Sequence, residues 1–373
     1  MIYLDYAANT PVDERVLQVF CDETKAFYGN PNSMHCMGIA AKERLNEYIN
    51  KICRRFKFEE CILTSGASEA NNLALKGIAH AYKENGRHII STPLEHSSVS
   101  GALTALQTLG WEIDLVNITR DGQVDIEHFK ELIRKDTVLV SVCTVDSELG
   151  IIQPIHEIAD IMKDYPNSFF HTDATQAVGR LDIDLSCADL VTFTPHKFYG
   201  LNGSGALLKN KCTVLKPLID GGMSTTIYRS GTPIEAQAAA MSAALDLAYD
   251  EMPERTSHIE EISAYISEGL AKFPQITFNK REKSLPHFIN ISIKGIKAAK
   301  MQETLSNNGI CVSTKSACSV PNTPSRAVYS ITHDRKAALS SIRISISHLT
   351  TYNEADELIK TMGEILNGKI SGN

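Results

Sequence analysis

Short runs of apolar and β-branched residues alternate, over the first two thirds of the chain, with longer stretches whose apolar positions recur every three or four residues. The short runs are CILTS (61–65), HIIST (88–92), DTVLVSVCTV (136–145), NSFFHT (167–172) and DLVTFT (189–194). Strands apolar on both faces belong in a parallel sheet covered on both sides, and the periodic stretches ASEANNLALKGIAHAY and IHEIADIMKDY supply covering helices. NITRDGQVDIEHFKELI reads as a strand end, an Asp-Gly turn, an Asp125 cap and a helix. Beyond about residue 250 the order changes to a helical stretch, a strand HFINISI (287–293), a helix around KAAKMQETLSNNG, a strand near ICVS and a last one around SSIRISIS. That order is the pattern of a smaller α+β domain. No repeat, low-complexity tract or linker interrupts the chain.

Composition narrows the function classes. With 43% hydrophobic and 22% charged residues, the 373-residue chain can bury a large core. Its net charge of −7, with Lys and Arg scattered among acids, leaves no electrostatic footprint for direct nucleic-acid binding. The opening MIYLDYAANTP places Asp5 where a leader would carry its basic and apolar regions, and no later stretch is long and apolar enough for a membrane span. A cytoplasmic location is expected. Nine cysteines without CxxC pairs or Cys/His clusters suggest neither a disulfide framework nor a metal site, so most should fill the core as reduced thiols.

Ligands of open α/β sheets sit outside the carboxyl ends of the strands. His96 follows HIIST, Asp173 follows FFHT, and His196 and Lys197 follow the strand ending at Phe193 and Thr194, which gathers four ionisable groups on one edge. A lysine at such a point usually extends to water. Desolvated, its amine loses basicity and becomes a nucleophile toward an aldehyde. A pyridoxal phosphate enzyme also needs a carboxylate on the pyridine nitrogen, for which Asp173 is suited, and a phosphate cradle. SGASEANNLALKG supplies the cradle as a strand, a small-residue turn and a helix N-terminus.

These residues resemble the cysteine desulfurases of the class V, fold-type I aminotransferases. The resemblance spans nearly the whole chain through YLDYAANTP, YGNPNSMH, SGASEANNLALKG, LEH, HTDATQAVG, PHKFYG, YRSGT, STKSAC and SSIRIS, in the family's order. It implies an α/β, PLP-dependent transferase fold of type I. Residues 14–250 would form the large pyridoxal phosphate-binding domain, a mostly parallel sheet between helices, and residues 1–13 and 251–373 the small α+β domain. The implied activity is conversion of L-cysteine to L-alanine, with the sulfur carried as a persulfide on Cys318 to a protein acceptor. An iron–sulfur scaffold, a tRNA-thiolating enzyme and a cofactor-biosynthesis carrier all fit that last role. Lys197 would hold pyridoxal 5'-phosphate as an imine, Asp173 would pair with its ring nitrogen, Gln176 would reach the ring hydroxyl, and His96 would lie on the ring face and take part in proton transfer. Gly66, Ala67, Ser68, Thr194 and His196 would bind the phosphate, joined by Thr232 of the other subunit in a homodimer with shared active sites. Arg343 would grip the substrate carboxylate, with Ser147 nearby. No metal is implied. The loop after Cys318, SVPNTPSRAVYS, has the prolines and small residues of a mobile carrier, while Cys311 in GICVS reads as filler.

The chain departs from the family in several places. DSELG stands where Asn-Asn-Glu is usual, so Asp146 brings an acid that would repel a substrate carboxylate. GGMSTTIYRSGT lacks the family's His, Thr-Pro-His-Lys replaces Ser-Gly-His-Lys, and Lys315 replaces the glycine before Ser-Ala-Cys. Lys315 would lower the Cys318 pKa or dock an acidic acceptor. Two alternatives stay open: another class V reaction, such as selenocysteine lysis or transamination, and a catalytically silent sulfur-transfer partner.

Overall fold

The chain opens with a two-residue strand, β1 (Ile2–Tyr3), and then lays down one seven-stranded sheet. Its strands are β2 (Glu60–Thr64), β3 (His88–Ser91), β4 (Glu112–Leu115), β5 (Thr137–Ser141), β6 (Phe169–Asp173), β7 (Leu190–Phe193) and β8 (Gly205–Lys209). They lie in the order β2-β8-β7-β6-β5-β3-β4. These elements come from a computed structural model that describes residues 1–222, 224, 226–315 and 323–369. Every residue of β3, β5, β7 and β8 is buried, because helices cover both faces, and this explains their unbroken apolar runs.

The sheet is parallel except for β8, which runs antiparallel between β2 and β7 with Gly205 opposite Thr64 and Ala206 opposite Phe193. The segment GSGALLK reads as a glycine-rich tail, and the tertiary structure turns its second half into a strand. One face of the sheet carries Phe170 and Phe193 and packs on Phe129 and Phe198, with Met241 and Leu245 of the helix Glu235–Asp250. The other packs on Leu73 and Ile78 of the helix Ala67–Ala81 and on Leu103 and Leu106 of the helix Ser97–Gln107. Asp125 caps the helix Ile126–Leu132 by accepting from the amides of Glu127 and His128, as its sequence position predicts.

The later part of the chain forms β9 (Ile276–Phe278), β10 (Phe288–Ile293), β11 (Ile310–Cys311) and β12 (Ser341–Ser345). β12, β10 and β9 make an antiparallel sheet in that order, while β11 pairs in parallel with β1. Leu4 accordingly packs in a core with Ile289, Ile291, Ile342 and Ile344, more than 280 residues away in sequence. The N-terminal segment runs on from there to the turn that follows β7, with the amide of Thr10 on the carbonyl of His196.

The expectation that most cysteines fill the core holds less well. Of those described, Cys53, Cys61 and Cys143 are buried, whereas Cys36 and Cys212 are exposed and Cys21, Cys187 and Cys311 are partly exposed. Alternating neighbours put Cys311 in a strand, but β11 is only two residues long and sits at an edge, so its side chain is not enclosed. Among the described residues no helix is long and apolar enough to cross a membrane.

Candidate active site

At the carboxyl edge of the seven-stranded sheet lies a cavity of about 370 Å³. Its lining includes Gly66, Ala67, Ser68, His96, Ser147, Asp173, Gln176, Thr194, His196, Lys197 and Arg343. Parallel strands explain the gathering, since β2, β3, β5, β6 and β7 all point their ends the same way. Thr232 lies elsewhere, exposed in a separate groove with Gly203, Arg229 and Gln237. Cys318 lies outside the described residues.

Lys197 ends a single 3-10 turn, Pro195–Lys197, that follows β7. Its Nζ donates to the carbonyls of Ala7 (2.9 Å) and Ala8 (2.6 Å). Burial pushes its pKa down to about 7, assisted by the positive charges of Arg180 and Arg343, while Asp5 and Asp173 oppose the shift. A neutral amine has two N–H bonds and both are engaged here, so its lone pair is directed away from those carbonyls. Two residues on, Tyr199 adopts φ 68°, a left-handed conformation that costs a residue with a side chain about 1–3 kcal/mol. Its surroundings hold it there: its amide donates to Thr10 Oγ1 (2.8 Å) and its hydroxyl shares a hydrogen with Ser347 (2.6 Å).

Asp173 ends β6 and is buried. Its carboxylate accepts from the amide of Thr175 (3.0 Å) and from Asn71 Nδ2 (2.8 Å). Asn71 is itself oriented: Nδ2 also donates to Ser98 Oγ (2.9 Å) and Oδ1 accepts from Thr192 Oγ1. His171 completes this buried row by meeting Thr192 and Ser141, and burial lowers its pKa to about 4, so it is a neutral, structural histidine. Asn71 was not singled out by sequence reasoning, although it sits in SEANN, one helical turn into the helix behind the cradle.

The amide of Ser98 donates to His96 Nδ1 (3.2 Å), which therefore carries no proton in the neutral ring. Nε2–H remains as the donating edge, and burial lowers the pKa of the ring. Gln176 Nε2 donates to the carbonyl of Ala7 (3.0 Å). Thr194 Oγ1 donates to the carbonyl of Ser204 (2.8 Å) and meets His196 Nδ1 (2.8 Å).

Gly66 stands at the start of the helix Ala67–Ala81 with no side-chain cap, which leaves the first amides free for an anion. Gly205 has to be glycine because a Cβ there would lie 2.5 Å from the carbonyl carbon of Gly66 and 2.9 Å from the amide of Ala67. That close approach is what sets the antiparallel strand β8 against the cradle.

Arg343, on β12, is 1% exposed and is held by Asp5 (2.7 Å) and by the carbonyl of Ser147 (2.6 Å). Its Nε and the hydroxyl oxygen of Thr175 are buried and have no hydrogen-bond partner among the described residues. Asp146 does not line the cavity. Its oxygens accept from the amides of Glu148 (2.9 Å), Leu149 (2.8 Å) and Ile151 (2.8 Å), so the carboxylate caps its own loop, and its charge is felt by Arg343.

Comparison with known proteins places this geometry. The class-V aminotransferase model matches residues 2–358. "Cysteine desulfurase IscS" of Dictyoglomus turgidum is 36% identical over 372 residues, 98% of this chain and 94% of the relative. "Cysteine desulfurase, mitochondrial" of Candida albicans is 36% identical over 97% of this chain and 76% of the relative. Among solved structures, a "NifS-like protein" superposes with a TM-score of 0.92 at 31% identity, covering 98% of this chain and 99% of that one. A structure titled "SspA in complex with cysteine" superposes with a TM-score of 0.81 at 27% identity, covering 94% of this chain and all of that one.

Proposed function

We propose, from the premise that this chain belongs to the class-V aminotransferase family and stands among its cysteine desulfurases, that it takes sulfur from L-cysteine with the help of pyridoxal 5'-phosphate and leaves L-alanine. The observation that carries the reading is the Lys197 amine, poised near neutrality, in one cavity with the Asp173 carboxylate and an uncapped helix N-terminus.

The residues suit the cofactor. The amides of Gly66, Ala67 and Ser68, with Thr194 and His196, would hold its phosphate; Asp173 would take its protonated ring nitrogen; Gln176 would meet its ring hydroxyl; and Lys197 would attach it. The uncapped start of the helix Ala67–Ala81, which opens on the cavity, is a cradle that suits a phosphate. When bound, the cofactor supplies an electron-poor ring that stabilises negative charge on the substrate carbon next to the amino group.

The chain supplies the rest. Arg343 presents a guanidinium to the substrate carboxylate, and Asp5 and the Ser147 carbonyl fix its direction. His96, with its proton on Nε2, is placed to donate or receive a proton in the cavity. Cys318 supplies the thiolate. Its sulfur forms an S–S bond with the substrate sulfur as the C–S bond breaks, the electron pair of that bond stays on carbon, and a proton completes the methyl group of alanine. The persulfide on Cys318 then passes its outer sulfur to a protein acceptor. Two copies of the chain share their sites, Thr232 of one reaching the phosphate of the other. Exposed apolar side chains flanking the Thr232 groove support this: Ile227 (69%), Ile234 (54%) and, linked through the contact of Asn32 with Ser224, Met34 (88%).

The test is to add L-cysteine to the purified holoenzyme under anaerobic conditions. Alanine should form, and the peptide containing Cys318 should gain one sulfur by mass spectrometry. Alanine that forms with Cys318 replaced by serine, at the original rate, would overturn the persulfide route, and no alanine at all would overturn the activity.

A further inference from the structure

Arg180 is a buried guanidinium, 8% exposed, directly beneath the residues assigned to the cofactor. It donates to the carbonyls of Tyr6 (3.0 Å) and Lys197 (3.1 Å) and to Gln176 Oε1. All three acceptors are neutral. The ring of Phe288 covers its flank at 5.6 Å. The preceding Gly179 makes the turn possible, since it has φ +76° and a Cβ there would stand 2.6 Å from the Cβ of Phe198.

The other guanidiniums around it have carboxylate partners. Arg343 pairs with Asp5, and Arg255 pairs with Glu251 (2.6 Å). Asp173 is held by Asn71 and the Thr175 amide. His196, His287 and His348 face the same region, and burial holds each of them neutral, with pKa values of about 4, 3 and 4. The Tyr199 hydroxyl is on Ser347 and stays protonated, its pKa raised by burial. Arg180 alone among these groups combines a positive charge with neutral partners only, and its own pKa falls to about 10 for lack of solvent.

We propose that Arg180 is a positioning residue for the reaction: its hydrogen bonds hold the backbone of Lys197 and the side chain of Gln176, and its unmatched charge keeps the Lys197 amine in its neutral, nucleophilic form. The proposal rests on the reading of Lys197 as the amine that takes the cofactor. Its logic is electrostatic. A cation in low-dielectric surroundings disfavours a second cation nearby, so the lysine sheds its proton close to neutral pH, while the arginine retains its own because guanidinium is far more basic. The same fork of donors fixes Gln176 so that its Nε2 faces the Ala7 carbonyl, the one that also accepts from Lys197.

Three variants separate charge from shape. Arg180→Gln keeps donors without charge, Arg180→Lys keeps charge with a smaller head, and Arg180→Met removes both. In cofactor-stripped protein, acetylation of Lys197 is followed against pH by peptide mass spectrometry; in the holoenzyme, the absorption of bound pyridoxal phosphate is followed over the same range. A thermal melt checks folding. The acetylation midpoint should rise by about one pH unit or more in Arg180→Gln and Arg180→Met and stay near the wild type in Arg180→Lys. If Met does not fold, Gln and Lys suffice. Equal midpoints in wild type and Arg180→Gln overturn the proposal, as does an equal upward shift in Gln and Lys. If acetylation behaves as expected but the protein takes up no pyridoxal phosphate, the charge assignment for Arg180 is supported and the functional reading of Lys197 fails.

Discussion

A primary amine with both N–H bonds on the Ala7 and Ala8 carbonyls, pushed to a pKa of about 7, gains nucleophilicity as pH rises through neutrality. Below about pH 7 the neutral fraction falls about tenfold per pH unit, so loading of pyridoxal phosphate onto the cofactor-free chain should slow about tenfold per unit there and level off above pH 8. Stopped-flow absorbance checks this, and an inflection near pH 10 would show an unperturbed lysine. Lys197→Ala should lose every adduct that borohydride can fix, as read by mass spectrometry. Replacing Asp173 by alanine should lower turnover by about two orders of magnitude, the scale of a lost charged partner. Asn71→Ala, which only frees that carboxylate to rotate, should lower it by about fivefold. A larger effect at Asn71 than at Asp173 would reverse their assigned ranks. The sequence singles out Lys197, Asp173 and His96 because each stands just beyond a recognisable strand. It does not single out Asn71 or Arg180, which act through partners distant in sequence.

At the level of elements, the cradle depends on how β8 is seated. Gly205 lies against Gly66, and a larger side chain would push the helix Ala67–Ala81 away from the Thr194 end of β7. Gly205→Val should weaken pyridoxal phosphate binding by roughly ten- to a hundredfold, in line with overpacking costs of about 1–3 kcal/mol. Fluorescence titration measures it, alongside a melting curve to confirm that the sheet persists. The five apolar runs named from the sequence all become strands of the sheet. β8 was not legible, because a five-residue strand behind two glycines has the composition of a turn, and neither was β9, whose residues are too few and too exposed to show a period; of β4 only the end before the Asp-Gly turn was legible. β1 is two residues long and exists only because β11 arrives beside it.

For the whole molecule, the exposed Ile227, Ile234 and Met34 are costly in a monomer and suited to burial in a dimer. Changing Ile227 and Ile234 together to aspartate should give a monomer by light scattering, and that monomer should retain pyridoxal phosphate less tightly because Thr232 no longer reaches the other site. A monomeric double variant with unchanged retention would remove Thr232 from the phosphate site. The alternation of apolar runs and helical periods determined the α/β class, because that property is written in local spacing, and the resemblance carried by motifs in fixed order supplied the family and most of the cavity lining. Only the tertiary structure decided the electrostatics. The Ala7 and Ala8 carbonyls, the Asp5–Arg343 pair and Arg180 meet Lys197 from segments up to 338 residues apart, and the acid at Asp146 is spent on three backbone amides of its own loop. Charge interactions depend on distance, burial and the partners already engaged, and none of the three can be read from the order of residues along the chain.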